Sequence, residues 1–420
     1  MASRLLRRRA TTALGIYGSA VLGFAATIVA ARELTKHDFA RFALVFGVTS
    51  LLQLFVDLTI DEVVVKYGNR YAARQQWGRF RRLFQVGLAV KMLGGAVGTL
   101  AVAVAAVLSP YIWTTGGLRT PMLIAALIPL IQQPEGMGGA VLLVRNRYDL
   151  RGALLFWAML LRLAAIVVGA QHGLNWLFAA VVVAQVISTL TIGTVALAVF
   201  RRWPHARAEP LGEDQPEIRS FAIQSTIASG LMSVRTSMPV VLIGVVARPT
   251  QVANFRAALA PQTAFAALSA PVRLVLLAEQ TRDIEYGRVD RAFALLRRYI
   301  VSAVAIGLVV TPILWWAMPT LIRWILKPKY LSATAAFRVM LLAAVVQLIF
   351  AWTKSFPVSI GRPGMRTVGQ VIEIAVLVPA VLLLGAQYGA TGAAGGVLAG
   401  AVALGLYWTV GLARLRRSVA

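Results

Sequence analysis

The chain carries ionisable residues inside apolar runs, where a charge is expensive to hold, and their types limit the chemistry they can do. Arg235 is the clearest case. At the helical rise it lies roughly 24 Å beyond Arg219 and roughly 20 Å before Arg248, too deep for its side chain to reach water easily at either end. A buried guanidinium needs an anion, and its planar fork suits a phosphate, to which it donates two parallel hydrogen bonds. Arg162 stands inside a second run, and Lys91 and Arg273 lie nearer the ends of two others, as further anion-binding candidates. Glu135 sits in Gln132-Gln133-Pro134-Glu135-Gly136-Met137-Gly138-Gly139. There the proline removes a helix hydrogen bond and the glycines weaken the adjoining turns, so a break that lines protein or water is expected. A carboxylate at such a break can take up and release a proton, hold a cation, or form a fixed pair with Arg162. Asp57 and Glu373 are candidates for the same ion-coupling role, with simple anchoring at helix ends as the alternative. Gln53, Gln85, Gln185, Gln262, Gln347 and Gln370 add uncharged polar surface suited to sugar recognition or to helix packing.

The elements that must position these residues are membrane-spanning helices. The chain has 420 residues, of which 59% are hydrophobic and 14% charged, too apolar for a soluble fold. Windows of ~20 apolar residues predict about twelve spans. In the first half they cover 11–31, 42–60, 84–108, 121–144, 153–170 and 176–200; in the second, 221–246, 257–277, 300–318, 339–353, 367–387 and 390–412. The stretch 201–219 breaks the pattern with Pro204, Pro210, Pro216, Glu209, Glu213, Asp214 and Glu217, and reads as a cytoplasmic linker. The expected organisation is a six-helix half over 1–200, that linker, and a second half over 220–420. The first span follows Arg4, Arg7, Arg8 and Arg9, but its length and its place in a series argue against a cleaved signal peptide.

A short repeat supports the two halves. Gly78-Arg79-Phe80-Arg81-Arg82-Leu83-Phe84 shares the pattern Gly-Arg-x-x-Arg-x-Phe with Gly287-Arg288-Val289-Asp290-Arg291-Ala292-Phe293, and Pro110 and Pro319 stand at the same offset. Ala31-Arg32 with Phe39 is matched by Ala247-Arg248 with Phe255 at a similar offset. Parallel halves related by a pseudo-twofold along the membrane normal follow from that arrangement. The net charge of +26 gathers at one set of helix ends, which places both termini and the linker in the cytoplasm. On that distribution it is an orientation signal, and no nucleic-acid partner is expected. With no cysteine, and with His37, His172 and His205 in loops or at helix ends, no metal site, cofactor or catalytic triad is expected, and the chain reads as a non-enzyme.

Taken in order, certain segments resemble the Wzx-type polysaccharide and O-antigen flippases of the multidrug/oligosaccharidyl-lipid/polysaccharide exporter superfamily. They are Ala30-Ala31-Arg32-Glu33-Leu34, Asp38-Phe39-Ala40-Arg41-Phe42-Ala43-Leu44, Asp57-Leu58-Thr59-Ile60 with Lys66-Tyr67, Leu326-Lys327-Pro328-Lys329-Tyr330, Phe337-Arg338-Val339-Met340 and Gly361-Arg362-Pro363. The chain departs from the family where Gly is common, at Thr59 and near Lys327. The resemblance implies an all-α polytopic protein of the bacterial plasma membrane. It also implies translocation of a polyprenyl-pyrophosphate-linked oligosaccharide to the outer leaflet, commonly by ion antiport with H+ or Na+, for lipopolysaccharide or exopolysaccharide synthesis alongside a polymerase and glycosyltransferases. On that view Arg235 and Arg162, with Lys91 and Arg273, meet the pyrophosphate, and Glu135, Asp57 and Glu373 couple the ion. The rivals are a drug or metabolite exporter of the same fold and a non-transporting scaffold of a glycan-assembly complex.

Overall fold

The computed structural model describes residues 2–56, 59–204, 206–286, 288–360 and 363–419, and among them helices are the only regular structure. Helices satisfy every backbone N–H and C=O within one segment, as lipid requires. Six described helical segments are long and apolar enough to cross a membrane: Trp77–Ile112, Tyr148–Gln171, Leu174–Phe200, Asp290–Leu326, Pro328–Ile349 and Gly364–Ala413. Their outer faces are apolar, with Leu93, Leu100, Leu190 and Leu308 each more than 60% exposed, as suits a lipid solvent. The chain divides into two compact units.

The first unit comprises Met1–Leu34, Val45–Ile112 and Gly116–Ser233. It holds α1 (Ala2–Glu33), most of α2 (Lys36–Val56), α3 (Ile60–Ala73), α4 (Trp77–Ile112), α5 (Arg119–Ala125), α6 (Ile128–Val144), α7 (Tyr148–Gln171), α8 (Leu174–Phe200) and the first part of α9 (Asp214–Val246). Helices in lipid gain little from apolar burial and associate where small residues let backbones approach. Gly15 of α1 meets Gly152 of α7 so closely that a Cβ on Gly15 would stand 2.4 Å from the Gly152 carbonyl carbon. Contrary to the expected break, α6 runs unbroken through Pro134. Its glycines serve close approach instead: Gly138 receives Ile192 and Ala196 of α8.

A core of Tyr67, Tyr71, Phe80, Val141 and Trp203 closes one end of this unit, and the segment after α8 is fastened to it. Arg81 donates to the Ala206 carbonyl, and the Glu209 amide donates to the Gly78 carbonyl. At the start of α9, Glu217 accepts both guanidinium branches of Arg70, at 2.9 and 3.0 Å, and the Tyr67 hydroxyl at 3.1 Å. Asp214 accepts the Tyr71 hydroxyl at 2.9 Å and pairs with Arg79 at 3.5 Å. Arg70 holds the Glu217 carboxyl down at about 2, while burial and the bond to Asp214 push the Tyr71 phenol up to about 12. The segment expected to link the halves is therefore clasped to the α3–α4 corner.

The second unit comprises Thr35–Leu44, Trp113–Thr115 and Val234–Ala420. After the end of α9 come α10 (Pro249–Ala258), α11 (Ala260–Glu285), α12 (Val289–Leu326), α13 (Thr334–Ile349), α14 (Phe356–Ser359) and α15 (Pro363–Val419), with 3-10 turns at Pro328–Ala333 and Ala351–Lys354. The two echoes of the sequence repeat begin comparable elements: α4 and α12 are helices of 36 and 38 residues, with Pro110 and Pro319 near their ends. α15 is interrupted at Gly389 (φ +59°), and Gln251 accepts the Ala390 amide freed there. Trp352, Phe356 and Trp408 form a local core with Leu296 and Leu404. Of the family-like segments, Gly361-Arg362 and Asp57-Leu58 lie outside the described residues. At Lys327 the backbone takes φ +76°, ψ +157°, a conformation that is essentially glycine's, so the turn is kept although the residue is lysine.

Because Glu217 is held below its ordinary value of 4.5, its contribution to the clasp is complete above that pH and is lost as pH falls toward about 2. Protection of the amides of 206–217, measured relative to their intrinsic exchange rates, should hold from pH 7 to 4.5 and fall below it, and Glu217→Gln should lower that protection already at pH 7. Lys327→Gly should relieve the strained backbone and stabilise the detergent-solubilised protein by about 1 kcal/mol, read as a rise in Tm.

Candidate functional site

Each unit buries a cation against a carboxylate. In the first unit, Lys91 from the middle of α4 is 3% exposed and pairs with Asp61 in the first turn of α3. α6 admits that pair because Gly136 has no side chain: a Cβ there would stand 2.7 Å from an Asp61 oxygen and 2.9 Å from the Lys91 nitrogen. One turn on, Gly139 leaves room for the Arg151 guanidinium, whose Nη1 would stand 2.0 Å from an added Cβ. Gly95 of α4 admits Gln133 in the same way. The glycines of α6 thus make a shelf on which charges from α3, α4 and α7 rest.

These groups line a cavity of about 130 Å³ together with Gln53, Gln132 and Glu135. At ~10–15 Å³ per water that is space for several waters or one small anion, and too little for a sugar chain. Glu135 accepts a 2.6 Å hydrogen bond from Gln185 of α8, which also reaches Thr189; Gln53 donates to Gln132 at 3.2 Å. The lining carries two cations, Lys91 and Arg151, and two carboxylates, Asp61 and Glu135. The charge of Lys91 is taken up by Asp61. Arg151 feels both carboxylates through space, yet no carboxylate stands within 4 Å of it among the described residues. It is therefore the lining cation best able to meet an incoming anion. Glu135, held by one neutral amide, is the carboxylate best able to change its occupancy.

In the second unit, Arg235 of α9 pairs with Glu373 of α15 at 2.7 Å, with Glu373 1% exposed. Gln347, Thr353, Lys354, Arg366 and Gln370 line the same small cavity, about 20 Å³, which is room for about one water. Two residues predicted for different tasks, anion binding for Arg235 and ion coupling for Glu373, are thereby brought together. Arg162 lies in the first unit beneath Phe46, its guanidinium 4.8 Å from the ring, and forms no ion pair with Glu135. Asp57 and the side chain of Arg273 lie outside the described residues. Asp61 and Arg151 escaped the sequence reading because each stands at the edge of an apolar run, where a charge reads as loop or orientation signal. Gly136 and Gly139, one helical turn apart, were their trace in the sequence.

A family model described as polysaccharide biosynthesis protein matches residues 5–276. No curated protein matches the chain in sequence. Among solved structures, the chain is similar to an inward-facing multidrug resistance MATE family transporter of the MOP superfamily, with TM-score 0.76, 13% identity and coverage of 95% of each chain. It is also similar to the lipid II flippase MurJ in an inward closed conformation, with TM-score 0.67, 13% identity, and coverage of 94% of this chain and 86% of that one. A MOP superfamily transporter from Pyrococcus furiosus gives TM-score 0.62 at 12% identity, covering 98% of this chain and 96% of that one. At such identities the likeness establishes the fold, and the fold is that of MOP superfamily transporters.

Removing one member of a buried pair strands the other charge. Glu373→Gln should lower the unfolding free energy by about 3 kcal/mol, and pairing Glu373→Leu with Arg235→Met should recover most of it, as measured by thermal unfolding in detergent.

Proposed function

The chain belongs to the polysaccharide biosynthesis protein family, and from that premise we propose that it is a flippase for a polyprenyl-pyrophosphate-linked oligosaccharide. It carries this substrate from the inner to the outer leaflet of the bacterial plasma membrane, working by alternating access as a transporter and not as an enzyme. Twelve spans in two six-helix halves, with both termini in the cytoplasm, complete this reading. The observation that carries it is the cavity of the first unit, where charged side chains from four helices converge inside an apolar protein.

The division of labour follows from the pairing. Lys91 and Asp61 neutralise each other and hold α3 to α4. Arg151 offers its fork to a phosphate oxygen of the substrate, while the polyprenyl tail stays in lipid. The charge on Glu135, set by its occupancy with H+ or Na+, is part of the field that an anion on Arg151 meets. Binding of substrate and of coupling ion are in this way linked through one electrostatic balance. Arg162, resting on the Phe46 ring, has its charge available to an anion, whereas Arg235 must first leave Glu373. The space is ample for a phosphate group and too small for the glycan, so the sugars are carried outside this cavity. The polymerase and glycosyltransferases of the same pathway would act before and after the chain.

In a bacterium whose surface polymer depends on this chain, Arg151→Gln and Glu135→Gln should each cut polymer export about tenfold or more at unchanged membrane levels. Arg74→Gln, at an exposed position, should leave export intact. Full export by both cavity variants would sink the transport-site reading and favour a scaffold, whereas loss of drug tolerance with intact polymer would favour the exporter reading.

A further inference from the structure

A second cavity, about 210 Å³, lies in the first unit where the start of α4 meets the end of α8. Its walls are aromatic and basic. Trp203, 5% exposed, packs edge-on against Phe80 with ring centroids 4.5 Å apart and lies 5.3 Å from Phe200 and 5.6 Å from Trp77. Arg81 and Arg201 line the same space, and Arg145 stands over the Trp203 ring at 5.8 Å. The clasp leaves these arginines uncompensated. Asp214 and Glu217 are engaged by Arg79 and Arg70, Arg81 reaches only the neutral Ala206 carbonyl, and no carboxylate lies within 4 Å of Arg81 or Arg201 among the described residues. The indole Nε1–H of Trp203 is buried and has no acceptor among the described residues. Among the described residues, Arg81 and Arg201, both exposed, thus border the cavity with no carboxylate to hold them, beside an indole N–H that has no acceptor.

The outer face of α8 carries an apolar stripe beside that cavity. Leu197 lines the cavity, and Leu190 and Val183 follow it at seven-residue spacing on the same face, exposed by 47, 62 and 57%. This apolar stripe runs from the cavity along the helix, as an acyl chain would. Ile192, which lines the charged cavity of the proposed transport path, stands on roughly the opposite side of α8. The geometry points to a site for an anionic phospholipid: its phosphate lies between Arg81, Arg201 and the Trp203 indole, and a chain lies along Leu197, Leu190 and Val183. Aromatic rings at headgroup depth beside basic side chains are the setting in which such lipids are held. The bound lipid would brace Trp203 and Pro204, which follow the end of α8. This inference does not rest on the proposed transport.

The test uses the full chain purified in detergent, with native mass spectrometry reading retention of phosphatidylglycerol against phosphatidylcholine. The wild type should retain phosphatidylglycerol preferentially. Arg81→Gln with Arg201→Gln should weaken that retention about thirtyfold. Trp203→Phe, which keeps the ring packing and removes the donor, should weaken it about fivefold, and Arg74→Gln should not change it. Equal retention of the two lipids by the wild type, or wild-type retention by the double variant, overturns the site. Displacement of phosphatidylglycerol by equimolar sodium pyrophosphate would reassign it to a free phosphate, and displacement by equimolar undecaprenyl pyrophosphate would reassign it to the substrate path; either overturns the phospholipid.

Discussion

A charge inside a membrane-embedded helix bundle must be balanced locally, and that requirement shapes both units. An isolated ion costs several kcal/mol to bury, which only close pairing or hydrogen bonding offsets. Lys91 is therefore placed against Asp61, and Arg235 against Glu373. Each pair joins two helices, the consecutive α3 and α4 in one case and the distant α9 and α15 in the other, so electrostatic balance also ties the helices together. In lipid, apolar contact between helices competes with equally apolar tails, so polar ties of this kind are among the interactions that bring helices together.

Balance by pairing needs room, and α6 supplies it by having no side chains where the charges lie. Gly136 faces Asp61 and Lys91, and Gly139 faces Arg151. Pro134 weakens the turn but does not break it, because helix interiors in membranes tolerate proline where neighbours re-satisfy the freed carbonyl. One helix thus both borders the cavity and sets its depth. An imbalance remains: among the described residues Arg151 has no carboxylate within 4 Å, and Glu135 accepts from an amide instead of a cation.

How much of this was readable in the sequence depends on what each feature requires. The all-helical, apolar character was, since it is a property of each segment alone, although six of the described segments, not twelve, are long and apolar enough to cross a membrane; so was the family, through ordered segments such as Ala30-Ala31-Arg32 and Phe337-Arg338-Val339-Met340. Lys91, Arg235, Glu135 and Glu373 stood out because a charge within an apolar run is visible locally. The pairings were not, because Lys91 has several carboxylates within plausible reach and only the packing of α3 on α4 selects Asp61. Gly136 and Gly139 read as weak points of a helix, since the bulk they accommodate belongs to residues from other helices. The acidic residues of 201–219 read as solvent-exposed linker for the same reason: the arginines that hold Asp214 and Glu217 lie on the α3–α4 corner, far back in the chain.

Lys327 shows the converse, a place where the fold overrides the residue. The turn from α12 into the Pro328–Ala333 segment needs a backbone that glycine adopts freely, and the chain makes it with lysine. The position is over-determined from both sides. Leu326 before it is buried, and Tyr330 after it is fully buried, with Phe39 edge-on to its ring at 6.0 Å. A fully buried tyrosine fixes where the chain must re-enter, so the dihedral strain at Lys327 is set against the burial of a large ring. The same logic governs the charged cavity: local costs are carried where many neighbours fix the geometry, and the groups left with freedom are those whose neighbours do not close around them.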